Sequence, residues 1–278
     1  MSTTANLAGS LGFTIGDAVI AFQKASVFNT LIKMVPAQPG TLTARIPVYA
    51  ALASSNVEQT EGDATLRTLT SAAVDCTVVR NTVATSVTDS VLLGSGDNVY
   101  GNVGGILGNT LAAQFDNEVA ALSAGVPNTV GTAGASMALS FIFDAVEYLR
   151  TNNAPGEFFA VLHPKQIWGA KGLSAVVDST DGTIVEDIVR TGYFQTIGGV
   201  HIFYSPEIDI DDEDDAQGLV FASEAFGAGY KDFGGGTFID IEEGRDAVGN
   251  ATNLVANGYW KAAELVDTWA TVITSDVS

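Results

Sequence analysis

Residues 41–88 read as two alternating limbs joined by a polar stretch. Leu42, Ala44, Ile46, Val48 and Ala50 alternate with Thr41, Thr43, Arg45, Pro47 and Tyr49, the period of a half-buried strand. The return limb sets Val74, Cys76 and Val78 on one phase. At the pair Val78 and Val79 the phase shifts, and Val79, Asn81, Val83, Thr85 and Val87 carry the pattern on. Residues 53–64, between the limbs, are polar and acidic with Val57 as their one strong apolar anchor. A two-stranded ribbon is marginal in water, and ordering it costs ~1–2 kcal/mol per residue. Something outside the ribbon must offset that cost, and a neighbouring copy of the same chain is the simplest source.

The other apolar patterns predict a mixed α+β chain. Ile15, Val19, Phe22, Val27, Leu31 and Met34 stand near helical spacing until Pro36 and Pro39 intervene, which predicts a weakly helical N-terminal arm. The stripe Val99, Val103, Leu107, Leu111, Phe115, Val119 and Leu122, capped by Asp97 and ended by Gly125 and Pro127, predicts a long helix of ~40 Å at 1.5 Å per residue. Gly101, Gly104, Gly105 and Gly108 weaken it, so close packing against another backbone or a bend is expected there. A second helix is expected over 136–151, with Leu139, Ile142, Val146 and Leu149 inward, then a buried strand over 157–162. His163 and Pro164 turn the chain into a short helix around Ile167 and Trp168. Another short helix is expected over 183–190. A turn at Gly198 and Gly199 leads to a strand over 200–204, and further strands are expected over 219–222, 238–241, 259–262 and 265–273.

Composition supports a folded interior, because 46% of the 278 residues are hydrophobic. The single cysteine, Cys76, excludes a disulfide framework and reads as a small buried side chain. No apolar run long enough to span a bilayer occurs, and the start of the chain lacks a signal-peptide pattern, so a soluble protein made in a cytoplasm is expected. The net charge of -20 is unevenly placed. Up to Thr88, five bases (Lys24, Lys33, Arg45, Arg67, Arg80) balance five acids (Asp17, Glu58, Glu61, Asp63, Asp75), and the remainder holds 27 acids against seven bases. A neutral arm and ribbon can therefore lie on an acidic neighbour with little repulsion. The scarcity of clustered Lys and Arg disfavours sequence-specific nucleic-acid binding.

Candidate chemistry is sparse. His163 reads as a turn residue and His201 as a strand residue, and no nucleophile elbow, phosphate loop or zinc-ligand spacing occurs. The glycines from Gly101 to Gly108 lack the βαβ setting of a dinucleotide loop. The acidic run at 209–215 departs from a calcium loop, with Asp214 where glycine is needed and Val220 where the last glutamate belongs, so it reads as a solvated loop. Glu242 and Glu243 face opposite sides of a strand and make no dyad. No catalytic, cofactor-binding or metal site is expected.

In their order these parts resemble the major capsid proteins of tailed bacteriophages with the Hong Kong 97-type fold. Local stretches are similar too: Phe158, Phe159, Ala160, Val161, Leu162, His163 and Pro164, a strand entering a short helix; Ile197 through Pro206, a glycine turn and strand; Leu219, Val220, Phe221 and Ala222, with Gly229 and Tyr230 after them; and the closing region from Trp260 to Trp269. The resemblance covers most of the chain and lies more in the order of the parts than in any one motif.

The resemblance implies an N-terminal arm over 1–36, an extended loop over 37–86, a peripheral domain with a spine helix over 87–130 and 231–264, and an axial domain over 131–230 and 265–278. It implies a non-enzymatic subunit that assembles as hexamers and pentamers around double-stranded DNA, with scaffolding, portal and decoration proteins as partners and no membrane. Such a protein resides in the virion and is assembled in the host cytoplasm. One branch of the family crosslinks a loop lysine to a neighbour's asparagine, but residues 50–71 contain no lysine, so noncovalent contacts are expected. Arg67 with Glu58, Glu61 and Asp63 near the loop tip are the expected intersubunit ion-pairing residues. The alternatives are an encapsulin-like compartment shell and an acidic enzyme with a metal at the 209–215 loop.

Overall fold

The computed structural model describes residues 18–22, 25–49, 65, 66, 68, 71–95, 99–173, 196–232 and 238–278. The expected long helix is helix α2 (Val99–Ala120), continued by a 3-10 turn (Ala121–Gly125), and its α-helical part spans ~33 Å. Its stripe turns inward as the spacing requires: Leu107, Leu111, Phe115 and Val119 are buried. The tolerance of Gly108 has a direct cause. A Cβ there would collide with the carbonyl oxygen of Ala18, so backbone packs on backbone at that point. Asp97 lies outside the described residues.

The N-terminal segment belongs to the core of the chain itself. Residues 18–22 are helical, Phe28–Thr30 form a 3-10 turn, and strand β1 (Lys33–Pro36) follows where the apolar spacing suggested continued helix. Ala18, Phe22 and Phe28 are fully buried. Phe22 packs edge-on against Phe115 at 5.9 Å and Phe238 at 5.0 Å between ring centroids, and burial of each such ring contributes about 1.5–3 kcal/mol. The helical expectation failed at β1 because parallel pairing of Lys33–Pro36 with strand β9 (Phe226–Tyr230) supplies the hydrogen bonds that a helix would otherwise make.

Two five-stranded sheets flank the shared core. In the first, strand β11 (Ala251–Glu264) is the common partner of β10 (Ile239–Asp246), of β9, and of β4 (Val79–Thr88). The second has the order β5 (Thr129–Ser136), β12 (Ala270–Asp276), β8 (Asp215–Ala222), β6 (Phe158–Leu162) and β7 (Val200–Tyr204). Its central strands are apolar on both faces: Leu219 and Phe221 of β8 face the α2 side, while Val220 and Ala222 face helix α3 (Leu139–Thr151). This double coverage explains why β6 and β8 read as continuous apolar runs. Helix α3 buries Ile142, Ala145 and Leu149, and its start lies three residues later than the sequence suggested, because 129–136 is strand β5.

The ribbon reading needs a correction. Among the described residues strand β2 (Thr43–Tyr49) pairs only with β3 (Ser71–Thr77), but β4 leaves the ribbon after Val78 and joins β11 over ten residues, from Val79 opposite Trp260 to Thr88 opposite Ala251. The phase shift at Val78 and Val79 marks the crossing from one sheet to the other, because a one-residue slip turns every side chain to the opposite face. The ribbon base is also not bare. Ala44, Ile46 and Cys76 are buried and form a small core with Val35, Ala37, Val74, Ala263 and Leu265. Cys76 is thus the buried small residue expected, and burial pushes its thiol pKa up.

Closing segments match the sequence with shifted ends. Helix α4 (Pro164–Trp168) is capped by His163, whose Nδ1 accepts the Lys165 N–H at 3.1 Å, while the Gln166 side chain accepts the His163 N–H at 3.1 Å. Gly198 and Gly199 make the expected turn into β7, both at positive φ. The strand expected over 265–273 begins only at Ala270, after a 3-10 turn (Asp267–Trp269). The short helix expected over 183–190 lies outside the described residues.

Candidate assembly surface

The two-stranded ribbon is held at its root and open beyond it. Lys231 Nζ donates to the carbonyl of Thr41 at 3.2 Å, and the Ala37 N–H donates to the Tyr230 carbonyl at 2.7 Å, fixing the turn from which β2 departs. Along β2 and β3 one face buries Ala44, Ile46 and Cys76 against the subunit. The other shows Arg45 and Asp75, paired at 3.6 Å with more than half of each side chain exposed. An exposed pair of this kind contributes only ~0–1 kcal/mol. Tyr49, at the far end of β2, is 61% exposed and Leu66 is 97% exposed. Pro47, Val48 and Tyr49 form one wall of a shallow cleft of about 170 Å³ whose other side is Lys33, Glu224, Leu265, Val266 and Trp269.

The expected ion-pairing residues Glu58, Glu61, Asp63 and Arg67 all lie outside the described residues. Sequence reasoning passed over Tyr49 and Leu66, although a large apolar side chain on the polar phase of an alternating strand is the signal that would have marked Tyr49.

A second exposed region lies at the opposite end of β4. There helix α1 (Asp89–Gly94) presents Val91 and Leu93, and the turn between β10 and β11 presents Val248, which is 96% exposed. Arg245 locks these parts together through a bidentate pair, Nη1 and Nη2 each 2.6 Å from an Asp89 oxygen. The guanidinium holds the Asp89 carboxyl below its ordinary pKa.

The remaining candidates take structural places. His201 stacks near Phe159 at 5.9 Å, and its Nδ1 lies 3.2 Å from the Thr196 hydroxyl. In the acidic loop, Asp211 Oδ1 accepts the N–H groups of Glu213 at 3.0 Å and Asp215 at 2.9 Å, while buried Asp215 accepts the Gly134 N–H at 2.9 Å. Two of the five loop aspartates are thereby spent on the backbone. Among the described residues no three His, Cys, Asp or Glu side chains converge as a metal site would require, and no helix is long and apolar enough to cross a membrane.

Asp116 is the polar residue that no pattern along the chain singles out. It sits on the buried stripe of α2, 3% exposed, and accepts the Ser26 hydroxyl at 2.7 Å, the Val27 N–H at 2.9 Å and the Phe28 N–H at 3.3 Å. Three donors from one segment thus pin the N-terminal region to the spine helix. Two residues on, Glu118 does the same for β11, accepting the Trp260 indole N–H at 3.0 Å and the Ala262 N–H at 3.1 Å while pairing with Lys261 at 2.8 Å.

Solved structures share this fold over about nine-tenths of the chain. The capsid of Ralstonia phage GP4 superposes with a TM-score of 0.72 at 12% identity, covering 92% of each chain. The capsid of cyanophage P-SCSP1u gives 0.66 at 17% identity, covering 91% of this chain and 89% of that one. The chain has the Hong Kong 97-type capsid fold. The SrpI encapsulin of Synechococcus elongatus also has it, with a TM-score of 0.59 at 14% identity over 90% of this chain and 88% of that one. By sequence, no family model and no curated protein matches the chain.

Proposed function

We propose that the chain is the major capsid protein of a tailed bacteriophage, self-assembling as hexamers and pentamers into an icosahedral shell around double-stranded DNA. The observation that carries this reading is the likeness to phage capsid structures over about nine-tenths of both chains. The protein acts by burying surface on copies of itself, and no reaction is assigned to it. Scaffolding, portal and decoration proteins are its proposed partners, and the virion, assembled in the host cytoplasm, its location. The arm, extended loop, peripheral and axial divisions at 1–36, 37–86, 87–130 with 231–264, and 131–230 with 265–278 are proposed as its working parts.

At the loop tip, Arg67 with Glu58, Glu61 and Asp63 is proposed to pair across subunits. Shell strength then comes mainly from apolar burial and strand addition repeated at every contact. The likeness to an encapsulin supports a second reading, a compartment that houses a protein cargo.

Electron microscopy of the purified protein tests the proposal. Closed shells, sheets or capsomers are expected, and deletion of residues 54–64 should leave a folded subunit that no longer closes. Particles isolated from the native source should hold nuclease-protected DNA, whereas a protein cargo without DNA would favour the compartment. A protein that stays monomeric at high concentration, alone and with scaffold, would refute both.

A further inference from the structure

Three chain crossings between the two sheets meet at one small joint. The turn that ends the spine helix runs through Gly125 toward β5, the turn between β8 and β9 passes through Ala225, and the link from β11 to β12 begins at Glu264. Ala225 joins two of them, its carbonyl accepting the N–H of Leu265 at 2.9 Å and of Val266 at 3.2 Å. Glu264 joins the third. Its carboxylate fills the space beside Gly125, where an added Cβ would stand 2.5 Å from Oε2.

That carboxylate is poorly served. Oε1 of Glu264 is shielded from solvent and has no hydrogen-bond partner, one of only two such side-chain atoms among the described residues. The charges around it do not compensate. Asp267, on the 3-10 turn that follows, is a like charge. Lys261, the one base on β11, is engaged with Glu118 at 2.8 Å. The turn at Ala121–Gly125 carries no charged residue, and Glu224, beside Ala225, is another acid. Glu264 as a whole is half-buried, but shielding one oxygen of an unpaired carboxylate already disfavours its charged form, and uptake of a proton relieves that cost.

We propose that this joint is a proton-operated catch between the two sheets, loosened when Glu264 is charged and tightened when it is protonated. Protonation removes the unpaired charge and its repulsion from Asp267 without requiring any side chain to move. Burial first, and Asp267 second, raise the Glu264 pKa above its ordinary value, so the change falls on the neutral side of the usual carboxylate range. The catch follows from the fold of one subunit and does not depend on shell assembly.

Hydrogen exchange on the full chain, corrected for intrinsic rates, tests it at the amides of Leu265, Val266 and Val126. Their protection should rise several-fold as pH falls from about 8 to about 4. Glu264→Gln should show the high protection at both ends of that range. Asp267→Asn, which leaves the carboxylate in place, should move the midpoint of the change to lower pH. Flat protection in the natural chain, an unchanged pH response in Glu264→Gln, or an unmoved midpoint in Asp267→Asn would each overturn the proposal. Shell formation is read separately by microscopy, so loss of the catch and loss of assembly are distinguishable.

Discussion

Asp116 and Asp276 show how opposite environments give carboxylates opposite roles. Asp116 is buried, and burial, with Glu207 adding a smaller repulsion, outweighs its three hydrogen bonds and raises its pKa. Its folded value therefore lies above the unfolded one. The charged form penalises the fold at neutral pH, and the penalty is relieved as pH falls through the folded value toward 3.8. Relative to Asp116→Asn, the natural chain should gain stability between about pH 7 and pH 4, read from urea midpoints. Asp116→Ala should lose about 2–4 kcal/mol, because Ser26, Val27 and Phe28 would keep buried donors without an acceptor. Asp276 runs the other way. Hydrogen bonds from Lys171 and Ser278 lower its pKa from 3.8 to about 2, so its contribution is complete above 3.8 and disappears as pH falls through about 2. NMR titration should find that low midpoint, and Lys171→Met should return it toward 3.8.

At the scale of elements, the ribbon root is the part whose character changed most between sequence and structure. Ile46 is fully buried on β2, and a Cβ at Gly227 would meet its Cδ1 at 3.0 Å, so it is packed between ribbon and sheet. Ile46→Ala should lower unfolding stability by about 2–4 kcal/mol in denaturant titration. A ribbon that gained all its order from a neighbouring subunit would show almost no loss in the isolated chain. The alternation of β2 and the stripe of α2 were legible because each element presents one face to one core. Strand β5, with the sequence Thr129, Val130, Gly131, Thr132, Ala133, Gly134, Ala135 and Ser136, was not, because its order comes from parallel pairing to β12 and little from its own side chains. Lys33–Pro36 was misread for the same reason. Asp116 was illegible because its partners lie 88–90 residues away and no local period marks a long-range hydrogen bond. The alternation of the ribbon asks for external cover, yet the Val78 and Val79 phase shift marks where half of the return limb changes sheets.

At the scale of the whole molecule, charge opposes what apolar surface promotes. Each chain carries a net charge of -20, concentrated from Asp89 onward, so bringing many copies together, as the proposed shell requires, would accumulate repulsion. Contacts made by burial and strand pairing do not weaken with ionic strength, whereas repulsion between acidic bodies is screened over ~8 Å at physiological salt. If the chain closes into the proposed shell, the protein concentration needed for closure should therefore fall as salt rises from about 0.05 M to about 0.5 M, measured by light scattering with microscopy of the products. A closure threshold that rises with salt would mean that ion pairs such as those proposed for Arg67 dominate the contacts. Under the proposed capsid role, the same acidity predicts inner walls that repel packaged DNA and let it slide during filling. An assembled shell lined mainly by Lys and Arg would contradict that role for the acidic body, because a basic lining would hold phosphate by counterion release.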